Sequence, residues 1–348
     1  MLTAGAVKAK ARELGFDLCG IAPVEDFPEL AFLREWLARG YAGTMTWLNR
    51  TVRVRSNARH IVPGARSVVV TGTLYNTDRP YVERTPPDAA RVSRYAWGDD
   101  YHDVVGRRLR ALDAWMHAAS PTPFESRPYV DTGPVLERVY AQYAGLGWIG
   151  KNTCLINPEL GSWLFLGAIV CALELTPDVQ GLEQCGRCTR CLDACPTGAL
   201  VEPGVLEATR CLSYLTIELR SGIPEALRPA LGTYVYGCDI CQEVCPFNQP
   251  AAVSGDPAWR PHAGVEGPSL AALWRQRDAE LLAWAEGTAM LRAPLTNLRR
   301  NLAVAIGNSG DAEALTALAE AAGPERPSAD DPMVREHVAW ALARAPRS

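Results

Sequence analysis

The chain of 348 residues contains no uninterrupted run of about 18 apolar residues, so no segment reads as a membrane-spanning helix. Its opening stretch, Met1-Leu-Thr-Ala-Gly-Ala-Val-Lys-Ala-Lys, lacks the apolar centre of a secretory signal, and no twin-arginine export motif precedes the body. The expected location is the cytoplasm, with no membrane partner. Positive charge is not in excess either: 35 Lys and Arg face 39 Asp and Glu, for a net charge of -4, which argues against a generally basic protein that coats nucleic acid. A local basic patch is compatible with that balance. Also missing is the G-x-x-x-x-G-K-[ST] phosphate loop. In Gly145-Leu-Gly147-Trp-Ile-Gly150-Lys151-Asn152 the glycine spacing is wrong and Asn152 follows the lysine, so nucleotide hydrolysis is a poor reading. The glycines there are expected to let backbone approach a bulky ligand.

Cysteine, by contrast, is abundant. Eleven cysteines without an export signal read as metal ligands in a reducing compartment. Eight of them fall into a pattern: Cys185-Gly-Arg-Cys188-Thr-Arg-Cys191-Leu-Asp-Ala-Cys195-Pro, then Cys211, then Cys238-Asp-Ile-Cys241-Gln-Glu-Val-Cys245-Pro. The first run has the C-x-x-C-x-x-C-x-x-x-C-P spacing of bacterial two-cluster ferredoxins, in which the cysteine before the proline serves the other cluster. The expected sets are therefore Cys185, Cys188, Cys191 and Cys245 on one 4Fe-4S cluster, and Cys195, Cys211, Cys238 and Cys241 on the other. Zinc is the alternative, since C-x-x-C pairs also build zinc ribbons, but a four-ligand ion has no use for the third cysteine of the first run. Cys19, Cys154 and Cys171 lie among apolar neighbours and read as inert buried thiols.

Hydrophobic residues make up 48% of the chain and charged residues 21%, an ordinary globular balance at a length that suits two or three domains. Helical spacing over residues 6–14, an apolar strand at 17–23 and an amphipathic helix at 29–39 open the chain. A basic stretch, 50–60, follows; the β-branched run 67–75 reads as a strand and 76–90 as a Pro-rich loop. A helix is expected from about 103 to 118. A strand ending in the turn Asp131-Thr-Gly133-Pro134 comes next, then a helix through Glu137, Arg138 and Tyr140, and an apolar strand at 164–173. A carboxylate before Gly-Pro is often a turn former or helix cap, yet a strand end opening on a pocket also suits an acid. Residues 251–267, rich in Pro, Gly and Ala, read as a linker. Beyond it, Leu298-Arg-Arg-Asn-Leu302-Ala303 aligns with Val334-Arg-Glu-His-Val338-Ala339 at a 36-residue spacing, a HEAT-like helical repeat.

Taken in order, Ser93-Arg-Tyr-Ala-Trp-Gly-Asp-Asp-Tyr-His102, Val130-Asp-Thr-Gly-Pro134, Glu137-Arg138, Gly147-Trp148 with Lys151-Asn152, Gly161-Ser162-Trp163, the cysteine runs and Tyr236-Gly-Cys-Asp-Ile-Cys-Gln242 resemble the epoxyqueuosine reductases. These are cobalamin-dependent iron–sulfur enzymes of queuosine synthesis in tRNA. The resemblance covers about residues 1–250, and the repeat tail also occurs in that family. It implies an α+β chain: an α/β cobalamin-binding domain related to reductive dehalogenases (1–174), a ferredoxin module with two 4Fe-4S clusters (175–250), and a linker with HEAT-like repeats (251–348). It implies that base-off cobalamin, reduced to Co(I) through the clusters, drives removal of the epoxide oxygen at the wobble nucleotide. An external low-potential electron donor would serve a chain expected to be monomeric. A corrinoid reductive dehalogenase and an electron-transfer module are the rival readings.

The family's proton donor falls on Asp131, which would need a raised pKa to act near neutral pH. By motif match, Arg55, Tyr95, Asp131, Lys151, Asn152 and Ser162 are candidates to contact cobalamin, with Ser213 and Asp239 where the second cluster approaches it. Arg138, Arg292, Arg299 and Arg300 are candidates for tRNA phosphate, which a planar guanidinium suits. The D-x-H-x-x-G cobalamin motif is missed by one place in Asp100-Tyr-His102-Asp-Val-Val-Gly106, so His102 is not expected to ligate cobalt. It reads instead as a residue at a helix start, satisfied by hydrogen bonds.

Overall fold

The β-branched run Ser67–Leu74 is the middle of the first half of the molecule. A computed structural model of the protein describes residues 2–79, 85–249 and 251–344, so 80–84 of the Pro-rich loop lie outside the described residues. In chain order the first half runs α1 (Ala4–Glu13), β1 (Leu18–Pro23), α2 (Pro28–Ala38), α3 (Thr46–Arg55), β2 (Ser67–Leu74), β3 (Arg91–Val92), α4 (Tyr101–Ala119), β4 (Ser126–Tyr129), α5 (Glu137–Tyr143), β5 (Trp148–Ile149), β6 (Leu155–Ile156) and β7 (Leu164–Cys171). Four of the strands form one sheet in the order β1-β2-β7-β4, with every pairing antiparallel. All eight residues of β2 are buried. An antiparallel sheet often leaves one face wet; this one is covered on both, which is why β2 reads as a continuous apolar run. Val69 and Ile169 face a core with Val7 and Ala11 of α1 and Leu109, Leu112 and Met116 of α4. Val68, Val70, Ala168 and Val170 face the other core, with Val139, Tyr140 and Ala141 of α5. Each buried Val or Leu contributes about 1.5–3 kcal/mol.

The glycine-rich segment departs from expectation. A Cβ on Gly147 would stand 2.0 Å from the Ile156 carbonyl oxygen, and one on Gly150 would stand 2.4 Å from the Ile156 side chain. The close approach these glycines permit is to the protein's own β5–β6 hairpin, not to a ligand.

A third core spans the second half. It joins Val92 and Trp97 to Leu215 and Tyr236, and these to Leu270, Leu302, Val304 and Val334 of the C-terminal helices. The two segments that align in sequence lie on the helices Leu295–Ser309 and Pro332–Ala343, which pack against each other. Residues 251–267 are packed down, unlike a loose linker: Trp259 and Val265 are buried, and the Trp259 ring lies 4.8 Å from that of Phe165.

Arg299 and Arg300 overturn their expected role. Both are fully buried on the helix Leu295–Ser309 and carry no surface for phosphate. Arg299 donates to the Trp274 and Gln276 carbonyls and pairs with Asp278 at 3.0 Å. Arg300 donates to the carbonyls of Leu215, Leu219 and Ser221, and burial pushes its guanidinium down to about 9. The sequence pattern of the repeat shows which positions are helical, but an arginine's five donors let it serve the interior as well as the surface. Arg300→Ala should strip the buried Leu215 carbonyl of a donor, and so lower stability by about 1–3 kcal/mol. Urea unfolding of the cluster-loaded protein reads the loss; an unmoved midpoint with weaker tRNA binding would return the side chain to a surface role.

Candidate active site and its thiol quartets

The cysteine loops close on themselves as two groups of four. Cys191, Cys185 and Cys245 lie within reach of one another's charge, as do Cys245 and Cys188. Cys211, Cys195, Cys238 and Cys241 form the second group in the same way. This neighbourhood is compatible with the two crossed sets expected from the spacing, and Cys154 also lies close to Cys241 and Cys245. Among the described residues no three Cys, His, Asp or Glu side chains converge tightly enough to hold a single metal ion. Two sets of four separated thiols suit cubanes, in which each iron takes one thiolate. Peptide and indole N–H groups point at the sulfurs: Trp148 Nε1 donates to Cys185 Sγ at 3.4 Å and the Ala199 amide to Cys195 Sγ at 3.3 Å.

Several cofactor candidates prove to be supports of these loops. Lys151 Nζ donates to the carbonyls of Gly186 (2.6 Å) and Cys188 (3.0 Å), and Asn152 Nδ2 to that of Cys241 (3.2 Å). Ser162 Oγ accepts from Gln242 and Asn248, joining the end of the α/β part to the second cysteine run. Ser213, two residues after Cys211, hydrogen-bonds its thiol. Asp239 is buried beside Cys238; it accepts from the Ser93 hydroxyl and, at 2.6 Å, from the Arg94 amide, while burial raises its pKa. Cys154, expected to be an inert thiol, lies against Cys241 and shares a hydrogen bond with it. Cys171 is buried as expected and Cys19 only partly so, and desolvation pushes both thiols up to about 12.

From the second quartet an aromatic wall leads to Asp131. Gly237, at φ +67, takes a conformation that L side chains resist, and a Cβ there would stand 2.4 Å from Ser93 Cβ. That close approach seats Tyr236 beside Tyr95, with ring centroids 6.0 Å apart, and Tyr95 lies 6.1 Å from Tyr101. Tyr101 stacks on Phe165 at 4.5 Å and on His102 at 4.1 Å, and its hydroxyl hydrogen-bonds Asp131.

Asp131 occupies the turn after β4 with φ 54, and Thr153 is the other described non-glycine residue of positive φ. Such a backbone is uncommon outside glycine, though Asp tolerates it better than a β-branched residue does. The two outliers meet at Arg138, which donates to the Thr153 carbonyl at 2.9 Å and lowers the pKa of Asp131 by its charge. Behind them, Arg55 donates to the Val135 carbonyl at 3.2 Å. Glu137 Oε1 is buried without a hydrogen-bond partner, and desolvation raises that carboxyl to about 8. Arg292 remains at the surface, paired with Glu218 at 3.0 Å, and its charge also reaches Asp131.

His102 stands at the start of α4 with its polar groups satisfied by hydrogen bonds, as its sequence position suggests, and its contacts bear on Asp131. Asp100 caps α4 by accepting from the His102 amide at 2.9 Å, and its Oδ1 also meets His102 Nδ1 at 2.7 Å. His102 Nε2 in turn faces Asp131 Oδ2 at 3.3 Å. Desolvation opposes charge on both partners, but the two carboxylates outweigh it on the imidazole and raise it to about 9. The His102 and Tyr101 contacts likewise outweigh desolvation on Asp131, which sits below the usual carboxylate range with 63% of its side chain exposed. The raised pKa expected for Asp131 is therefore not a property of the uncovered site. An aspartate two residues before a histidine at a helix start was the available signal for this chain of contacts.

Residues 184–248 match the model of a 4Fe-4S double cluster binding domain, and residues 55–132 that of epoxyqueuosine reductase QueG, DUF1730. An epoxyqueuosine reductase of Xanthomonas campestris pv. campestris is 42% identical over 98% of this chain and 96% of its own length. This chain belongs to the epoxyqueuosine reductase family. The Escherichia coli K12 member is 38% identical, covering 97% of this chain and 88% of its own. Among solved structures, an epoxyqueuosine reductase bound to an epoxyqueuosine-modified tRNA-Tyr stem loop matches with a TM-score of 0.87 and 30% identity, over 98% of this chain and 89% of that one. The Bacillus subtilis reductase, solved with a catalytic aspartate loop swung out of the active site, matches at 0.86 and 28% identity, over 98% and 89%.

Cys211 lies outside both runs, yet it sits beside Cys195 and Cys238, where it is expected to complete the inner quartet. Cys211→Ala should lower the iron content of the anaerobically reconstituted protein from eight per chain and abolish the signal of one cluster only. Two intact cluster signals in that variant would break the crossed assignment.

Proposed function

We propose that this chain reduces epoxyqueuosine to queuosine at the wobble position of tRNA, with Asp131 as the proton donor. The observation that carries the reading is the path from the inner thiol quartet along Tyr236, Tyr95 and Tyr101 to Asp131. Electrons entering at one quartet have an outlet, and an acid stands at its end. The catalytic aspartate loop of the Bacillus subtilis relative supports that assignment, as does the stem loop bound to its solved counterpart. Family membership weighs against the dehalogenase and the bare electron-transfer module.

Removing an epoxide oxygen as water consumes two electrons and two protons. Cobalamin, when bound, supplies a strongly reducing, electron-rich cobalt centre. The residues around Asp131 fit such a guest on one structural ground: Glu137 Oε1 is a buried acceptor without a partner, a costly state that the amide groups on a corrin's rim would relieve. Arg55, Tyr95, Asp131 and Glu137 would then hold it over the aromatic wall. Ser213 and Asp239 would act from below, by fixing the cluster loops, as do Lys151, Asn152 and Ser162. Asp131 would hold a proton at its exposed Oδ2 and give it to the departing oxygen. Covering this carboxylate removes water, the change that raises a carboxyl's pKa toward the range an acid needs.

Arg138 and Arg292 flank Asp131 at the surface and would take phosphates of the anticodon arm. An unpaired wobble base is the kind of splayed-out target that proteins read in RNA. The same reading divides the chain at 1–174, 175–250 and 251–348, with the last part a short HEAT-like repeat. It also makes the chain a cytoplasmic monomer served by an external low-potential donor. Replacing Arg138 and Arg292 together by alanine should weaken tRNA binding and lessen its logarithmic salt slope by about one to two units. An unchanged slope would remove both from the RNA surface.

Asp131→Asn keeps the side chain's size and its tolerance of positive φ while removing the dissociable proton. In a single-turnover assay with pre-reduced enzyme, it should keep both clusters and its cobalamin yet convert epoxyqueuosine about 10²–10⁴-fold more slowly. Product formation at the wild-type rate would remove Asp131 from the mechanism.

A further inference from the structure

Reducing an epoxide to an alkene and water needs two protons, and a single carboxyl carries one. We propose that His102 is the proton store behind Asp131, held by Asp100 on Nδ1 and delivering from Nε2 to Asp131 Oδ2. The inference rests on the reading of Asp131 as the acid.

The geometry has the parts that a relay needs. The two imidazole nitrogens face two different carboxylates, at 2.7 Å and 3.3 Å, so one carboxylate orients the ring while the other receives its proton. Asp100 is itself fixed, because it also caps the His102 amide. The ring cannot swing freely, since Tyr101 stacks on it. His102 is still 28% exposed, which leaves a route for recharging from water. Ordinary helix capping needs only the Asp100 side chain and the backbone; it gives no reason for the imidazole to meet a second carboxylate at a strained turn.

The charges around the pair agree with this division of labour. His102 faces Asp100 and Asp131, with the Tyr101 ring stacked on it. Asp131 faces, besides these, the cations of Arg138, Arg292 and Arg55 and the buried Glu137. The imidazole is raised to about 9 and the carboxylate lies below its usual range, so at neutral pH the resting proton is on Nε2. In the reaction, the Nε2 proton passes to Asp131 Oδ2 and from there to the epoxide oxygen as the first C–O bond breaks and an O–H bond forms. Water reprotonates His102, and a second transfer through Asp131 turns the hydroxyl into water as the other C–O bond breaks. The electron pair is that of the reduced cofactor in the proposed function. The sign of the pH dependence follows: the store is full below about 9 and empties as pH rises through that value.

Two measurements test it. In protein without cobalamin, NMR titration of the imidazoles, with His102 assigned by its loss in His102→Gln, should show His102 still charged at pH 8 in the wild type. Asp131→Asn and Asp100→Asn should each move its midpoint down by about one unit or more. In single turnover, His102→Gln, which keeps a donor near Nε2 but cannot carry a proton, should slow conversion at pH 7.5 by about 10-fold or more. Its rate should fall from a lower pH than that of the wild type and recover in part with added imidazole. Asp100→Asn, which keeps the imidazole, should shift the profile in the same direction. Iron content and the absorption of bound cobalamin confirm that each variant is assembled. A wild-type rate and pH profile in His102→Gln, beside an inactive Asp131→Asn, would overturn the relay and leave Asp131 as the acid. A wild-type rate in Asp131→Asn would overturn the reading beneath both.

Discussion

A buried carboxylate holds the two halves of this machine together. Asp239 sits between Cys238 and Cys241, deep enough that its charge would be costly without partners, and it finds them in the Ser93 hydroxyl and the Arg94 amide. Those donors belong to the segment that carries Tyr95 and leads into α4. The hydrogen bonds therefore fix the distance between the inner thiol quartet and the aromatic wall. In the proposed function, electron transfer to a site beside Asp131 would depend on that distance. Gly237 allows the same approach from the backbone side, because any Cβ there would press on Ser93.

Much of this was legible in the sequence because the features are local. The cysteine spacing leads to the expectation of two quartets that exchange Cys195 and Cys245, and the neighbourhood of the thiols is compatible with it. The strand Ser67–Leu74 announced itself by β-branched residues, and the helix expected from about 103 to 118 is α4, which begins two residues earlier at Tyr101. The order of short motifs was enough to identify the family.

What was not legible depends on long-range contacts. Arg299 and Arg300 look like a surface pair at the head of a repeat, but the helix Leu295–Ser309 is wedged between the ferredoxin module and the C-terminal helices, so its polar positions also face protein. Lys151 and Asn152 are candidates for ligand contact by motif match to the family. In the fold they reach across to carbonyls of the cysteine loops. Composition suggested a loose segment at 251–267, while Trp259 inside it closes the core beside α4. In each case the residue type was compatible with two environments, and only tertiary packing chose between them.

The electrostatics of Asp131 carry the same lesson into chemistry. A carboxyl meant to act as an acid is often expected to be protonated at rest, yet here His102 and Tyr101 stabilise the carboxylate. An acid held in its charged form is not disabled if its proton waits on a neighbour. The cost of transfer is set by the difference between two partners that change together, and covering the site disfavours the ion pair as a whole. Desolvation pushes an imidazolium to lose its proton and a carboxylate to gain one, so both shifts move the proton in one direction, from Nε2 to Oδ2. Under the proposed relay, the acid would stay unarmed in water and be armed when a bulky guest closes over Asp131.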